Sequence, residues 1–535
     1  MRPAKIVCRS SIVVLAFGAY GARAAVAQPV VAGDGTPDPT PLVVDPPQPL
    51  PPPPVEPTPP VAPAPADGAG AVGGPLTGAI TNPPIGTVDP SDIVSAGRDR
   101  GFRFGSYGRI IAGTDLRGGK PEKLLVGTTG PRTVEDSYLE LDFSYGFETK
   151  SGVKMRPVVT LAFDGTLFHD TGDFDAHPAL RNLFLDATIN EHVTAWVGSR
   201  MYRGDDIYLF DYWPLDNQNT LGGGVFYRNH AVEIAGHVGE NRLNNSFQFQ
   251  ELAVANPEQG STLVEQLNRE RMVASATASY LFAKPPEELS VKVKLHGEFQ
   301  GVASGTRELL DSSGFGNGTF THLPADTGYL VGAEVSLFGL APSAAGYRRH
   351  LNLFARYAAG LASFDLLAAP TSFGTDLKTT HASEVSFGAS GNWDSKIGNV
   401  MIGALSRRFL DASGQTTNND EGWEYAIDAR PLAKIGHDFF FGADISYQAR
   451  FPDGLNPTTE RAEDPAIFQV APMLVYSPMG PSGYDRPQLR AVFDVAHLND
   501  GARDQYVPDD PRHAHDIVYF LGVQAEWWFN SSTYR

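Results

Sequence analysis

From residue 101 to residue 529 the chain repeats one pattern. Apolar and polar positions alternate for about ten residues, then stop at a cluster of Gly, Asn, Asp or Pro. The segment from Asp136 to Glu148 shows it. Leu139, Leu141, Phe143, Tyr145 and Phe147 share one parity; Tyr138, Glu140, Asp142, Ser144 and Gly146 share the other. Successive side chains of a strand point to opposite faces, so this segment has one apolar and one polar face. About eighteen such stretches can be marked: near 101–112, 136–147, 152–163, 181–189, 191–200, 222–228, 230–238, 272–283, 288–300, 328–339, 350–362, 382–391, 397–408, 422–431, 438–450, 467–476, 487–497 and 517–529. No long amphipathic helix interrupts them.

The connections alternate between short and long. SKIGN and INEH are short; 239–271 and 301–327 are long. Short turns at one end and long loops at the other mark an outer-membrane barrel, and an even strand number suits closure. The predicted fold is therefore all-β: a transmembrane antiparallel β-barrel of about 18 strands spanning residues 96–535. No run of 18 apolar residues occurs, so no transmembrane helix is expected. In such a barrel the apolar face meets lipid and the polar face meets a water-filled lumen.

Aromatic residues break the simple division. In the last stretch Ile517, Tyr519, Leu521, Val523, Ala525, Trp527 and Phe529 form a lipid face ending in an aromatic girdle, yet Trp528 shares parity with Gln524 and Glu526. In FRFGSYGRIIAG, Tyr107 sides with Arg103 and Arg109; in the second stretch Tyr138 sides with Glu140 and Asp142. Taken singly, each is a girdle or packing residue. Three with the same relation to charge suggest a wall that meets sugars. A sugar ring has an apolar C–H face that an aromatic ring can cover. Its hydroxyl rim can take charge-assisted hydrogen bonds from Arg, Glu or Asp. Passage needs contacts strong enough for entry and weak enough for exit.

The N-terminus has another texture. Arg2, Lys5 and Arg9 precede the apolar run SSIVVLAFGAY, and Ala25-Val26-Ala27 is a small-x-small cleavage site, so residues 1–27 read as a secretory signal peptide. Residues 28–95 are rich in Pro, Ala and Gly. They favour extended polyproline II and read as a periplasmic linker or a disordered leader with no partner. At about 3.1 Å per residue where extended, the segment would reach on the order of 150–200 Å. Cys8, the only cysteine, lies in the signal, so the mature chain has no disulfide or thiolate metal site. Removing the signal's four basic residues from 42 Lys+Arg and 61 Asp+Glu leaves 38 against 61, a net charge of −23. Such a chain is a poor partner for nucleic acid and a poor general anion pore.

With these features in place, the sequence resembles the maltoporin family of carbohydrate porins. FGSYGRIIAG, EDSYLELDF, HPALRNLFLDATINEHVTAWVGSRMYRGDDIYLFDYW, RPQLRAVFDVAH and GVQAEWWF carry the likeness. The resemblance implies an eighteen-stranded, homotrimeric outer-membrane barrel that passes oligosaccharides, especially linear α-1,4-glucans, and needs no cofactor. It implies an aromatic slide to which Tyr107, Tyr138, Tyr484 and Trp528 correspond. Phe174 falls one residue from a slide Trp that the family lends to its neighbouring subunit, and Phe354 is a looser match. Arg109, Glu140, Arg181 and Asp211 correspond to the polar track, as does Arg132 if two residues are deleted. Arg181 shares parity with Leu183 and Leu185, so strand periodicity does not itself turn it inward. Tyr484 shares parity with Arg486, Gln488, Arg490 and Asp494, which makes it lumenal. The implied pore loop is 201–220, where Asp205, Asp206, Asp211 and Asp216 would place negative charge. Trp213 takes the place of a constriction Tyr. Gly204 takes that of a constriction Arg, with Arg203 as substitute. The family's cysteine pair is missing, and six residues follow Phe529. Related sucrose-type porins also carry an N-terminal periplasmic segment, theirs a coiled coil.

Other classes have less support. A general porin for sucrose, small polar solutes or anions is the alternative transporter. A barrel enzyme would need a nucleophile and base, and neither G-x-S-x-G nor H-E-x-x-H occurs. RHAHD at 512–516 could bind metal but sits in a loop, and no metal is expected. The Pro-rich arm also permits a structural link to a periplasmic or cell-wall partner.

Overall fold

Glu140 is 0% exposed, while Tyr145 and Phe147 on the same strand are 53% and 42% exposed. That inversion of the usual burial runs through the whole molecule. The computed structural model describes residues 100–164, 177–242, 247–256, 260–267, 269–284, 288–310, 316–339, 349–414, 419–480, 482 and 484–529. The signal segment, the Pro-rich arm, Phe174 and the six residues after Phe529 lie outside the described residues.

In chain order the strands are β1 (Gly101–Thr114), β2 (Tyr138–Glu148), β3 (Lys154–Asp164), β4 (His177–Thr188), β5 (Val193–Arg203), β6 (Asn217–Arg228) and β7 (Val232–Asn241). Then come β8 (Phe249–Asn256), β9 (Gly260–Leu267), β10 (Arg271–Phe282), β11 (Leu289–Val302), β12 (Gly305–Leu310), β13 (Gly316–Leu323) and β14 (Asp326–Gly339). The last are β15 (His350–Gly360), β16 (Ser383–Ser395), β17 (Gly398–Leu410), β18 (Gly422–Lys434), β19 (Phe439–Pro452), β20 (Ala466–Tyr476), β21 (Gln488–Leu498) and β22 (Ile517–Phe529). Eighteen of them form one antiparallel sheet, and β1 pairs with both β2 and β22. The sheet is thus a closed barrel, which leaves no strand edge unpaired in hydrocarbon. No helix among the described residues is long and apolar enough to cross a membrane.

Each of the eighteen alternating stretches falls on a barrel strand. The other four strands make two hairpins, β8–β9 and β12–β13, inside segments that the sequence suggested were plain loops. Outward positions are apolar and exposed, as at Phe102, Phe104, Leu295, Phe299, Ile427, Phe441 and Val523. Inward positions are polar and buried, as at Thr160, Gln218, Lys292, Asn352, Asp444 and Gln469. This is the arrangement a bilayer requires. Trp527 shows how the outer face is fitted: a Cβ on Gly108 would meet its indole ring, and its Nε1 donates to Ser106 Oγ at 3.2 Å.

One end of the barrel has tight turns. At 149–153 the Thr149 N–H donates to Val153 O at 2.9 Å, with Gly152 at φ +83°. At 189–192 and 229–231 the side chains of Asn190 and Asn229 accept from the backbone two and three residues on, which closes each turn locally. The opposite end carries the longer connections, two of which, 115–137 and 204–216, fold into the lumen.

Candidate functional site in the lumen

The pore loop is 204–216, narrower than the sequence suggested, because β5 runs to Arg203 and β6 starts at Asn217. Its neck closes where Gly204 N–H donates to Asp216 O at 3.0 Å. Its tip is a 3-10 turn, Tyr208–Phe210, ended by Asp211 in the left-handed region at φ 54°. Ile207, Tyr208, Leu209 and Phe210 are at most 2% exposed, packed against Met401, Leu405 and Ala426 on the far wall. Gly403 makes room for them: a Cβ there would lie 3.1 Å from Ile207 and 3.3 Å from Leu209. The loop therefore reaches across the lumen.

Two of its acids are anchors. Asp205 is bound by Lys292 at 3.0 Å and by Lys294, both from β11, and Glu334 of β14 completes the network. Asp216 meets His296 Nδ1 at 2.6 Å. The expectation that all four aspartates charge the pore is thus corrected, since two are neutralised in buried pairs. Burial would raise the Asp205 pKa, but Lys292 and Lys294 hold it well below the usual range. Asp206 has no such partner; burial, then the nearby Asp211 charge, raise its pKa. Asp211 faces lumenal water. Enclosure would raise its pKa, but Arg132, Arg109 and Arg203 outweigh this and lower it.

The aromatic row lies across the closure of the barrel. Tyr107 pairs with Trp528 on one side and Glu140 on the other; Arg109 pairs with Glu526 and Tyr138. Aromatic and charged positions thus alternate like a checkerboard over β22, β1 and β2. The Tyr107 ring lies 5.9 Å from Tyr138 and 6.4 Å from Trp528. Tyr208 of the pore loop then continues the row, 6.5 Å from Trp528 and 5.2 Å from Tyr484. Tyr107, Phe354 and Trp528 are buried against the loop, and Tyr138 and Tyr484 are partly buried there.

Tyr484 reaches this place by a route that strand parity did not describe. It stands in the turn before β21, not on a strand. Arg181 also had the wrong parity for the lumen, and a β-bulge resolves this. Thr160 pairs with Asn182 and Leu161 with Leu180, so Arg181 is the extra residue. Leu180 and Leu183 face outward, while Arg181 turns in to form an ion pair with Glu140 and donates to Tyr138 Oη at 2.6 Å. Tyr138 in turn donates to Glu140 at 2.7 Å.

Arg132 comes from the loop 115–137. It donates to Glu135 at 2.9 Å and Tyr107 Oη at 3.2 Å, and its guanidinium lies 4.8 Å from the Tyr208 ring centroid. Its backbone N–H donates to Leu209 O at 3.0 Å, tying the two lumenal loops together. Arg109 donates to Glu135 at 3.3 Å and sits over Tyr138 at 5.4 Å. Arg203 stacks on Trp213 at 3.7 Å and donates to Asn217 at 3.1 Å.

Sequence reasoning did not single out Tyr208, Arg486, Arg490 or Glu526. Glu526 accepts from Arg486 and Arg490, each at 2.7 Å. Shared parity of Glu526 with Trp528 was the available signal. Around 512–516, Arg512 pairs with Asp510 at 2.6 Å, and among the described residues no group of three His, Cys, Asp or Glu could hold a metal.

The LamB porin family model matches residues 102–529. None of the curated proteins compared with the chain matches it. Among solved structures, the chain is similar to Wzi, a carbohydrate-binding outer-membrane β-barrel involved in group 1 capsule assembly in Escherichia coli. The two share 9% identity over 79% of this chain and 83% of that one, with TM-score 0.35. OccK3 (OpdO) of Pseudomonas aeruginosa shares 11% identity over 81% and 97%, with TM-score 0.37. A mutant porin of Rh. blastica shares 12% over 80% and 100%, with TM-score 0.31. These likenesses are distant and no conclusion is drawn from them.

Proposed function

Since the chain belongs to the LamB porin family, an outer-membrane porin family, we propose that its lumen passes oligosaccharides, with maltose and maltodextrins the leading candidates. Transport is facilitated diffusion down a gradient, and the lumenal residues serve passage rather than catalysis. The observation that carries this reading is the checkerboard of Trp528, Tyr107 and Tyr138 with Glu526, Arg109 and Glu140. Rings cover the C–H faces of a sugar, and the adjacent charges replace water at its hydroxyls. Arg181, Arg132 and Asp211 extend the polar track. Arg203 and Trp213 shape the constriction, with Phe354 behind the loop. Phe174 would reach a neighbouring subunit in a homotrimer. Residues 1–27 would direct export, and 28–95 would extend from the short-turn end as a periplasmic arm.

A second reading has its own support. The pore loop covers much of the aromatic row, as the burial of Tyr107 and Trp528 shows. A general porin for small polar solutes would have no use for an open slide. Single-channel conductance in a planar bilayer separates the two, with maltohexaose titrated against sucrose and phosphate. Saturable block by maltohexaose supports the sugar porin, with closure in threes for a trimer. Ion current that no sugar alters supports the general porin.

A further inference from the structure

A second constellation lies away from the aromatic row, on the wall made by β3 to β7. It surrounds a cavity of about 390 Å³. Lys154, Thr188, Thr194 and Arg228 line it, and each stands at or beside a strand end next to a short turn. Arg203 and Tyr202 line it from the neck of the pore loop. The cavity thus lies between the constriction and the short-turn end of the barrel.

Its charge is one-sided. Lys154, Arg156, Arg200, Arg203 and Arg228 line it against a single carboxylate, Asp186. Arg156 holds Asp186 at 3.0 and 2.5 Å. Glu233, just outside the lining, pairs with Arg228 at 2.6 Å. Positive charge still exceeds negative by three, in a chain whose net charge is −19. The aromatic row is different: there Arg109, Arg132, Arg486 and Arg490 face Glu135, Glu526 and Asp211. A low-dielectric wall focuses the field of such an excess and draws anions to it.

The cavity also has flat apolar surfaces. The Arg200 guanidinium lies 5.3 Å from the Trp196 ring and 5.4 Å from Tyr202. His237 stacks beside both, at 5.4 Å and 14° to Trp196 and at 6.3 Å and 1° to Tyr202. Its Nδ1 is buried with no hydrogen-bond partner, while Nε2 meets Thr220 at 2.7 Å. Rings fix the plane of the guanidinium, whose fork suits a carboxylate or phosphate. With Asp205 and Asp216 neutralised, the pore loop opposes an entering anion less than its sequence suggests.

We propose that this cavity is a second solute site, selective for saccharides that carry a negative group, a carboxylate or a phosphate. It rests on the reading of the chain as a sugar-passing pore and adds a charge preference on the exit side of the constriction. Trp196 and Tyr202 face the ring of the solute, and Arg200, with Arg156 and Lys154 beside it, faces the anionic group.

The test is block of single-channel current by matched pairs added from the short-turn side. The pairs are trigalacturonate with maltotriose, and glucose 6-phosphate with glucose. The charged member of at least one pair should block about tenfold more tightly at low salt, as hydrogen bonds to charged groups imply. The preference should shrink in 1 M KCl, where the Debye length is about 3 Å. Which pair shows it tells carboxylate from phosphate. In Arg200→Gln the charged probe should lose most of that advantage while maltotriose block is unchanged. Equal block by charged and neutral members in the wild type overturns the inference and leaves the oligosaccharide reading standing. Inorganic phosphate that blocks as tightly as glucose 6-phosphate overturns the saccharide half. Undiminished anionic block in Arg200→Gln overturns the site. A barrel that carries no current overturns the pore reading and this inference with it.

Discussion

Tyr107 and Trp528 are direct cross-strand partners on the line where the first barrel strand meets the last, with ring centroids 6.4 Å apart. Their sequence separation makes the aromatic row a product of barrel closure. No local segment can form it. The row and the closed barrel are therefore formed together, and the weakest part of the sheet, its final pairing, is reinforced by the rings that would meet solute.

Removing either ring tests the sugar reading. An aromatic pair contributes about 0.5–1.5 kcal/mol beyond burial, which converts to roughly two- to tenfold in affinity. Trp528→Ala and Tyr107→Ala should weaken maltohexaose block by that factor and leave ion conductance nearly intact. The check is the concentration of sugar that halves the current. Unchanged sugar affinity in both variants would remove these residues from the slide.

Strand periodicity made the barrel legible because each strand had to separate lipid from water, and that separation is written in alternate residues. The same rule placed Tyr107, Tyr138 and Trp528 inward. It did not place Arg181, because a bulge at Arg181 changes the phase within β4. Nor did it describe Tyr484, which a turn carries into the lumen. The loop 115–137 gave no sign that it would enter the barrel and bring Arg132 to Tyr107. Such contacts join distant parts of the chain, and no local pattern encodes them. The anchoring of Asp205 was hidden for the same reason: Lys292 and Lys294 are nearly ninety residues away.

That anchor gives a second prediction. Removing one partner of a buried ion pair typically costs about 3–5 kcal/mol, because the other charge stays buried. Asp205→Asn should therefore loosen the pore loop from β11 and widen the constriction. Single-channel conductance should rise and the size limit for neutral sugars should relax. A variant with wild-type conductance would show that the apolar tip, Ile207 to Phe210, holds the loop by itself.

The bulge carries a third. Arg181→Met leaves Glu140 buried beside Tyr138 and should lower the midpoint of heat unfolding, read by gel mobility. Glu140→Gln should do less harm, and the double variant should recover part of the loss. Neighbours that share an ion pair are non-additive in this way. Strict additivity would mean that the pair contributes nothing to the fold.

Deleting residues 28–95 should leave conductance and sugar block unchanged, because the proposed lumenal residues all lie after residue 100. Bilayer recordings on the inserted deletion variant are the check. Lost conductance in a folded, inserted barrel would give the arm a part in the pore itself.

Asp206 allows the sign of a pH effect to be worked out. It is 2% exposed, its Oδ1 has no hydrogen-bond partner, and burial followed by the Asp211 charge raises its pKa. A carboxyl whose folded pKa lies above the unfolded value of about 3.9 binds its proton more tightly in the folded state. Stability then falls as pH rises through that interval. Asp205 and Asp216 run the other way: their lowered pKa values stabilise the fold at neutral pH, and this contribution is lost only as pH falls through their folded values. Asp206→Asn removes the penalty at Asp206 and leaves the two anchors in place. Its heat-unfolding midpoint should exceed that of the wild type at pH 8, and the gap should close at pH 4. A gap of the same size at both pH values would mean that the Asp206 proton plays no part, and that any gain comes from packing of the amide.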